Sequence, residues 1–253
     1  GYNDALKNLS EEIFVLLNSD VEVTENWLKP VISEFEKDNS VVVAQPKLLD
    51  YKNKECFEYA GAAGGFIDKY GYPYCRGRIF NTLEKDEGQY DDISEIFWAS
   101  GACLFVKAQS FWQAGGFDED YFAHQEEIDL CWRLQSIGGK ILYVGTSKMY
   151  QLGGATLNAI NPKKTFYNFR NSLLNILKNV KGTHAFTSIF VRMLMDGLAA
   201  LQFLFQGKPQ HFFAIFKAHF SFYSLIPKFL QKRKIHASEL KYFSVKSIVF
   251  QYF

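Results

Sequence analysis

The sequence is poor in the features that would place it in a specialised class. Its four cysteines, Cys56, Cys75, Cys103 and Cys131, form no C-x-x-C spacing, which excludes the zinc and dithiol motifs built on that spacing. Two of them sit inside apolar stretches where reduced, buried thiols are common, and a reducing compartment fits. The formal net charge is +1, so no global excess points to nucleic acid or to an acidic partner. The opening residues, GYNDALKNLSEEIF, have neither the basic nor the apolar region of a secretory signal, and they do not look like a natural start. No run reaches the roughly 18 uncharged apolar residues of a membrane span.

What is present is the balance of a folded protein: 253 residues, 48% hydrophobic and 22% charged, enough for one large core or a core plus an appendage. Up to about Gly154 the chain alternates strand-like and helix-like segments, the pattern of an α/β domain. Ile13 to Asn18 is a short apolar run that reads as a buried central strand ending at Asn18-Ser19-Asp20. Thr24 reads as the N-cap of a helix carrying Trp27, Leu28, Val31, Ile32 and Phe35. VVVAQPKLL reads as a second strand. The glycine- and aromatic-rich stretch from Ala60 to Arg78 has neither period and reads as a long loop. FWASGACLFVK reads as a strand with small residues in its middle, where Gly101 lets a backbone or ligand come close. A short helix, a Gly115-Gly116 stop and an acidic turn follow.

The stretch FAHQEEIDLCWR (Phe122 to Arg133) sets three carboxylates among apolar residues. A helix from about Gln125 puts Glu126, Asp129 and Arg133 on one stripe, with Glu127 about 100° around the first turn. Acids in a first turn also simply complement the helix dipole, and Asp129 with Arg133 can be an ordinary ion pair. Asp20 tips the balance, because it ends a strand where open α/β sheets bind ligands.

Taken together, FVLLNSDVEVTENWL, WASGACLFVKAQSFWQAGGFDEDYF, HQEEIDLCWRLQSIGGKI and NPKKTFYNFRNSLLNILKN resemble ordered motifs of glycosyltransferase family 2, the inverting nucleotide-sugar transferases of GT-A fold, in their bacterial rhamnosyltransferase-like branch. The likeness runs from Gly1 to about Asn179. It implies a Rossmann-like GT-A sheet lacking its first strands, because the family's fold begins with elements that would precede Gly1. It implies donor contacts at Asn18, Asp20, Gly101 and Ala102, with Asp20 holding the Mg²⁺ or Mn²⁺ that bridges a donor diphosphate. The family's Glu-Asp pair falls on Glu126 and Glu127, the second matching the catalytic base. Trp98, Asp118 and Asp129 fall at positions around the acceptor. Gln151, in YQLGGAT, stands where family members often place a metal-binding His. An amide oxygen can ligate Mg²⁺ but is neutral and a weaker choice for Mn²⁺.

The resemblance therefore implies transfer of a sugar from a nucleotide-diphosphate donor to a hydroxyl of a glycan or lipid-linked acceptor. The competing reading is a non-catalytic glycan- or membrane-binding remnant. The domain division expected is a partial GT-A domain over 1–180 and an amphipathic helical region over 181–253. That second region is rich in Phe and Leu, with a basic end at Lys232, Arg233 and Lys234. Its helices either lie in a membrane interface or pack on the catalytic domain, and composition leaves the two open. The expected location is cytoplasmic, with peripheral contact at the inner face of the plasma membrane under the first reading.

Overall fold

The computed structural model describes residues 1–80, 82–152, 161–236 and 247–249. After a short helix α1 (Tyr2–Leu6), the first half runs β1 (Ile13–Leu17), β2 (Val21–Val23), α2 (Leu28–Lys37) and β3 (Val41–Asp50). Four short strands follow: β4 (Gly65–Ile67), β5 (Pro73–Cys75), β6 (Arg78–Ile79) and β7 (Thr82–Leu83). Next come β8 (Ile93–Glu95), β9 (Cys103–Lys107), α3 (Ala108–Gln113), a 3-10 turn at Glu119–Tyr121, α4 (Glu126–Ser136) and β10 (Lys140–Gln151). Three long helices close the described chain, α5 (Pro162–Asn179), α6 (His184–Phe205) and α7 (Pro209–His236).

The main sheet has the order β1-β9-β3-β10-β2, with β8 also pairing β10. β3 and β10 run parallel, and the other pairings are antiparallel. β3 is buried over nine of its ten residues because both its faces are covered. One face meets Val31 and Phe35 of α2, and the other meets the core around Phe111, Tyr121 and Trp132. Even Lys47 is fully buried there, its ammonium 2.6 Å from Asp86 and 2.5 Å from Asp91, so the buried charge is paired.

Several expectations are corrected. β1 is an edge strand rather than a central one: it pairs β9 alone among the described strands, and Val15 and Leu17 on its alternate face are exposed. A short apolar run does not distinguish the two. Thr24 does not cap α2. Its hydroxyl donates to the carbonyl of Lys148 at 2.7 Å, and the helix begins at Leu28. The stretch from Ala60 to Arg78 is not all loop: it holds the β4–β5 hairpin and the start of β6, with Gly65 opposite Cys75 and Phe66 opposite Tyr74; three-residue strands are too short to print a period. The strand expected over FWASGACLFVK is confined to Cys103–Lys107.

α5 supports the loop that enters α4. Asn161 caps it by accepting from the Lys163 amide, with Pro162 in the first turn. Its apolar residues Leu173, Leu174, Ile176 and Leu177 join the main core. Asn171, Asn175 and Asn179 recur every four residues, so they form one buried stripe along the helix. α7 packs lengthwise on α5 and places Phe222 and Phe229 in the same core. The helical region is thus continuous with the α/β core.

Candidate functional site

At the end of β1 the chain turns toward β10. The Asn18 amide donates to the Ala102 carbonyl at 3.0 Å, and the Leu152 amide donates to the Asp20 carbonyl at 2.9 Å. Val21 lies opposite Gln151 in the antiparallel β2–β10 pair. Asn18, Asp20, Ala102 and Gln151, far apart in sequence, therefore meet at one end of the sheet. Gly101 adjoins them, and a Cβ built there would meet nothing within 4 Å, so no backbone approaches it and the space is open.

No cluster of three or more His, Cys, Asp or Glu suited to a metal occurs among the described residues. A metal at this end would rest on the Asp20 carboxylate, the Gln151 amide oxygen and the ligand's own oxygens, a set that suits a hard cation such as Mg²⁺. Gln151 fits that part: its Oε1 is buried and has no hydrogen-bond partner among the described residues. The glycine-rich turn that follows Gln151 lies outside the described residues.

The second half of the site is the loop entering α4. Phe122, His124 and Gln125 all have positive φ, between 65° and 67°, a conformation that costs non-glycine residues and survives only where the surroundings impose it. Here α5 imposes it. Asn171 Nδ2 shares its hydrogens among the carbonyls of Tyr121, Ala123 and His124 at 3.1, 2.8 and 2.7 Å. Arg170 donates to the carbonyls of Asp120 and Tyr121. Asn175 donates to the Gln125 carbonyl, and Gln125 Nε2 in turn donates to the Asn168 carbonyl.

The loop delivers Glu126 and Glu127 to the first turn of α4. Glu126 Oε2 is buried with no partner among the described residues. Burial pushes both carboxyls above their ordinary range, and the neighbouring Glu126 adds to the effect on Glu127, carrying it to about 8. The like charge of Glu126 disfavours ionisation of both carboxyls together. Nearby, Phe122 is 78% exposed and stacks on Tyr167 with ring centroids 5.4 Å apart.

Asp129, two residues on, is different in kind. It is fully buried, and each of its oxygens is occupied. Oδ2 takes Arg133 Nε at 2.8 Å and Lys178 Nζ at 2.9 Å, while Oδ1 takes Asn179 Nδ2 at 3.0 Å and the more distant Tyr121 hydroxyl at 3.4 Å. Burial opposes its charge, but Arg133 and Lys178 outweigh burial and hold the carboxyl well below its usual range. No lone pair is left for an acceptor, so the acceptor-contact role expected of Asp129 is corrected to a structural one.

Asp118 is likewise held by cations. It is ion-paired to Lys178 at 2.7 Å and to Lys232 of α7 at 2.5 Å, and these cations overcome burial to keep it ionised. It lines a cleft of about 550 Å³ with Asn3, Gly116, Lys228 and Lys232, but neither Glu126 nor Glu127 is on that cleft's wall. Trp98 is buried over Gly65, its indole N–H donating to the Phe66 carbonyl at 2.9 Å. It serves as core rather than as an acceptor contact.

The sequence reading missed α5. Asn171, Asn175 and Asn179, spaced by four inside an apolar helix, were the available signal, since buried asparagines need partners at a fixed spacing. Lys178 gave no signal of its own.

Comparison with known proteins bears on this geometry. Residues 1–100 match the model of the glycosyl transferase family 2. The chain is 44% identical over 77 residues to N-acetylglucosaminyl-diphospho-decaprenol L-rhamnosyltransferase of Mycobacterium tuberculosis, a match covering 30% of this chain and 25% of that protein. It is 38% identical over 66 residues to the rhamnosyltransferase WbbL of Escherichia coli K12, covering 26% of this chain and 25% of that one. These matches span about a quarter of the length of each relative. Among solved structures, GalNAc-T7 with UDP, GalNAc and Mn²⁺ superposes with a TM-score of 0.52 at 17% identity, covering 70% of this chain and 35% of that one. That likeness concerns the fold. Residues 1–100 are thus similar to glycosyl transferase family 2, the chain resembles rhamnosyltransferases over the matched 66 to 77 residues, and its fold is GT-A.

Proposed function

We propose that the chain takes part in inverting transfer of a hexose from a nucleotide-diphosphate sugar to a hydroxyl of a glycan or lipid-linked acceptor. The observation that carries this is the Glu126–Glu127 pair, half-buried, raised in pKa and held at the end of a strained loop by a neighbouring helix. Such an arrangement suits a general base poised near neutrality. The acceptor oxygen attacks the anomeric carbon as its proton passes to the Glu127 carboxylate. The bond from that carbon to the diphosphate oxygen breaks, and the diphosphate leaves with the electron pair. Attack and departure on opposite faces invert the anomeric centre.

Asp20 and Gln151 would hold a divalent metal at the diphosphate, where it supplies charge compensation for the leaving group. Asn18, Gly101 and Ala102 adjoin that end of the sheet and would face the donor. The relatives' names support this assignment by analogy of sequence, and a neighbour solved with UDP and Mn²⁺ supports the metal by analogy of fold.

A second reading, binding without catalysis, is favoured by Gln151 itself, because a neutral amide lowers metal affinity relative to imidazole or carboxylate. One experiment separates them. The chain is incubated with Mn²⁺ or Mg²⁺, a panel of nucleotide sugars and acceptor extracts, and transfer of the sugar to the acceptor with release of nucleoside diphosphate to solution is followed for the parent, Glu127→Gln and Glu126→Gln. Transfer abolished by Glu127→Gln, with nucleoside diphosphate still bound, supports the enzyme. Binding without transfer in the parent supports the second reading.

A further inference from the structure

The α6–α7 hairpin is built inside out. On α6, Phe186, Phe190, Leu194, Leu198, Leu201 and Phe205 recur every three or four residues and are all exposed, Phe205 at 86% and Leu198 at 68%. The opposite face of the same helix buries Ser188, Arg192 and Asp196. On α7, Phe213, Phe216, Phe220 and Tyr223 form a matching exposed stripe, while Ala214, Ile215, Ala218 and Phe222 face inward. A helix dissolved in water turns its charges out and its apolar stripe in; α6 buries both its charges, beside Ala185, Ile189 and Ala200, and turns its larger apolar stripe out.

The buried charges compensate one another within the protein, although Arg192 Nε and Asp196 Oδ1, 3.7 Å apart, make no hydrogen bond among the described residues. Arg192 donates to the Gly71 carbonyl at 2.9 Å and lies 3.6 Å from the Tyr72 ring centroid, and Asp196 meets His219 of α7 at 3.1 Å. These bonds also fix the orientation of the helix. By length and composition α6 is apolar enough to cross a membrane, with a mean hydropathy of 1.5, although it holds no run of 18 uncharged residues. Arg192 and Asp196 break the uncharged run without lowering the mean enough. Yet α6 is tied along one face to the α/β domain through Arg192, so it cannot span a bilayer and keep that contact. It can lie on one.

Charge selects the surface. From His184 to Arg233 the sequence holds a single acid, Asp196, against Arg192, Lys208, Lys217, Lys228, Lys232 and Arg233. That acid is buried, whereas Lys208 and Lys217 are exposed beside the apolar stripes. The described outer face of the hairpin is therefore apolar residues with cations and no anion, the complement of an anionic lipid surface.

We infer that the α6–α7 hairpin seats the protein peripherally on an anionic bilayer, with the Phe and Leu stripes in the headgroup–acyl boundary. The inference is independent of the transferase reading, and its test uses no donor or acceptor. Deleting the hairpin does not test it, because Phe222 and Phe229 belong to the main core. The full chain is instead sedimented with vesicles of phosphatidylcholine alone or with 30% phosphatidylglycerol, a probe composition taken as about a third anionic. The parent is expected to bind the anionic vesicles and to release as salt rises. Phe190→Glu and Leu198→Glu, both fully outward, should each lower partitioning roughly tenfold, and Lys208→Glu with Lys217→Glu should remove the preference for anionic lipid. Circular dichroism checks that each variant remains helical. Absence of binding to either vesicle, or binding unmoved by these substitutions, overturns the inference. A concentration-dependent dimer in sedimentation equilibrium that Phe190→Glu dissolves also overturns it, and assigns the face to a second copy of the chain.

Discussion

Lys178 of α5 sets its ammonium between two carboxylates, 2.7 Å from Asp118 and 2.9 Å from Asp129. Asp118 is in turn bound by Lys232 of α7 and Asp129 by Arg133 of α4. A chain of alternating charges thus runs from the C-terminal helix to the helix that carries Glu126 and Glu127. Each member is buried or nearly so, and each compensates the next.

Removing one member of such a chain leaves a buried charge without compensation. Lys178→Met should destabilise the fold by about 3–5 kcal/mol, read as a lower urea midpoint with unchanged slope. A loss under about 1 kcal/mol, the range of exposed pairs, would mean that water reaches the pair in solution.

The pH dependence of stability should have two limbs of opposite sign. Asp129 has a depressed folded pKa, so its contribution is present above the unfolded value of 3.8 and is lost as pH falls below it. Glu127 has a raised one, so its contribution is complete below 4.5 and is lost as pH rises toward about 8. Thermal denaturation across that window should show a melting temperature that falls with rising pH. In Glu127→Gln the decline should be shallower, and the variant should be more stable than the parent at pH 8. An identical slope in both proteins would show that Glu127 titrates normally.

Asn171→Ala removes the donor that fixes the carbonyls of Tyr121, Ala123 and His124. The loop should relax from its positive-φ form and displace Glu127. A shift near 1 Å costs on the order of 100-fold in rate, so kcat should fall by about that factor with nucleoside diphosphate affinity retained. Equal loss of affinity and rate would indicate general unfolding instead, which the melting temperature would reveal.

The metal end can be addressed by titration. Asp20→Asn should weaken Mn²⁺-dependent binding of a nucleoside diphosphate by roughly tenfold or more, a charge-assisted contact being worth about 1.5–3 kcal/mol. Gln151→His should strengthen Mn²⁺ binding, because imidazole is the softer donor. Isothermal titration with metal and nucleoside diphosphate reads both. Unchanged affinity in Asp20→Asn removes that residue from the site.

Pattern alone carried the local elements and the short motifs. Helical spacing marked α2 and α4, and a run of β-branched and apolar residues marked β3, because those signals depend on neighbours within a few residues. The Glu126–Glu127 pair was legible for the same reason: apolar residues flanking three acids already implied a buried helix start. What the tertiary structure decided was which acids are free and which are spent. Asp118, Asp129 and Glu127 are all carboxylates within a dozen residues, and the partners of the first two, Lys178, Asn179 and Lys232 some fifty or more residues away together with Arg133 one helical turn on, separate ion-paired supports from a carboxyl that no described cation pairs. The same holds for β1, whose edge position depends on β9, and for α6, where sequence gives a stripe of Phe and Leu but only packing against Gly71 and His219 says which face points outward. Side-chain chemistry is local, whereas burial and charge compensation belong to the assembled chain.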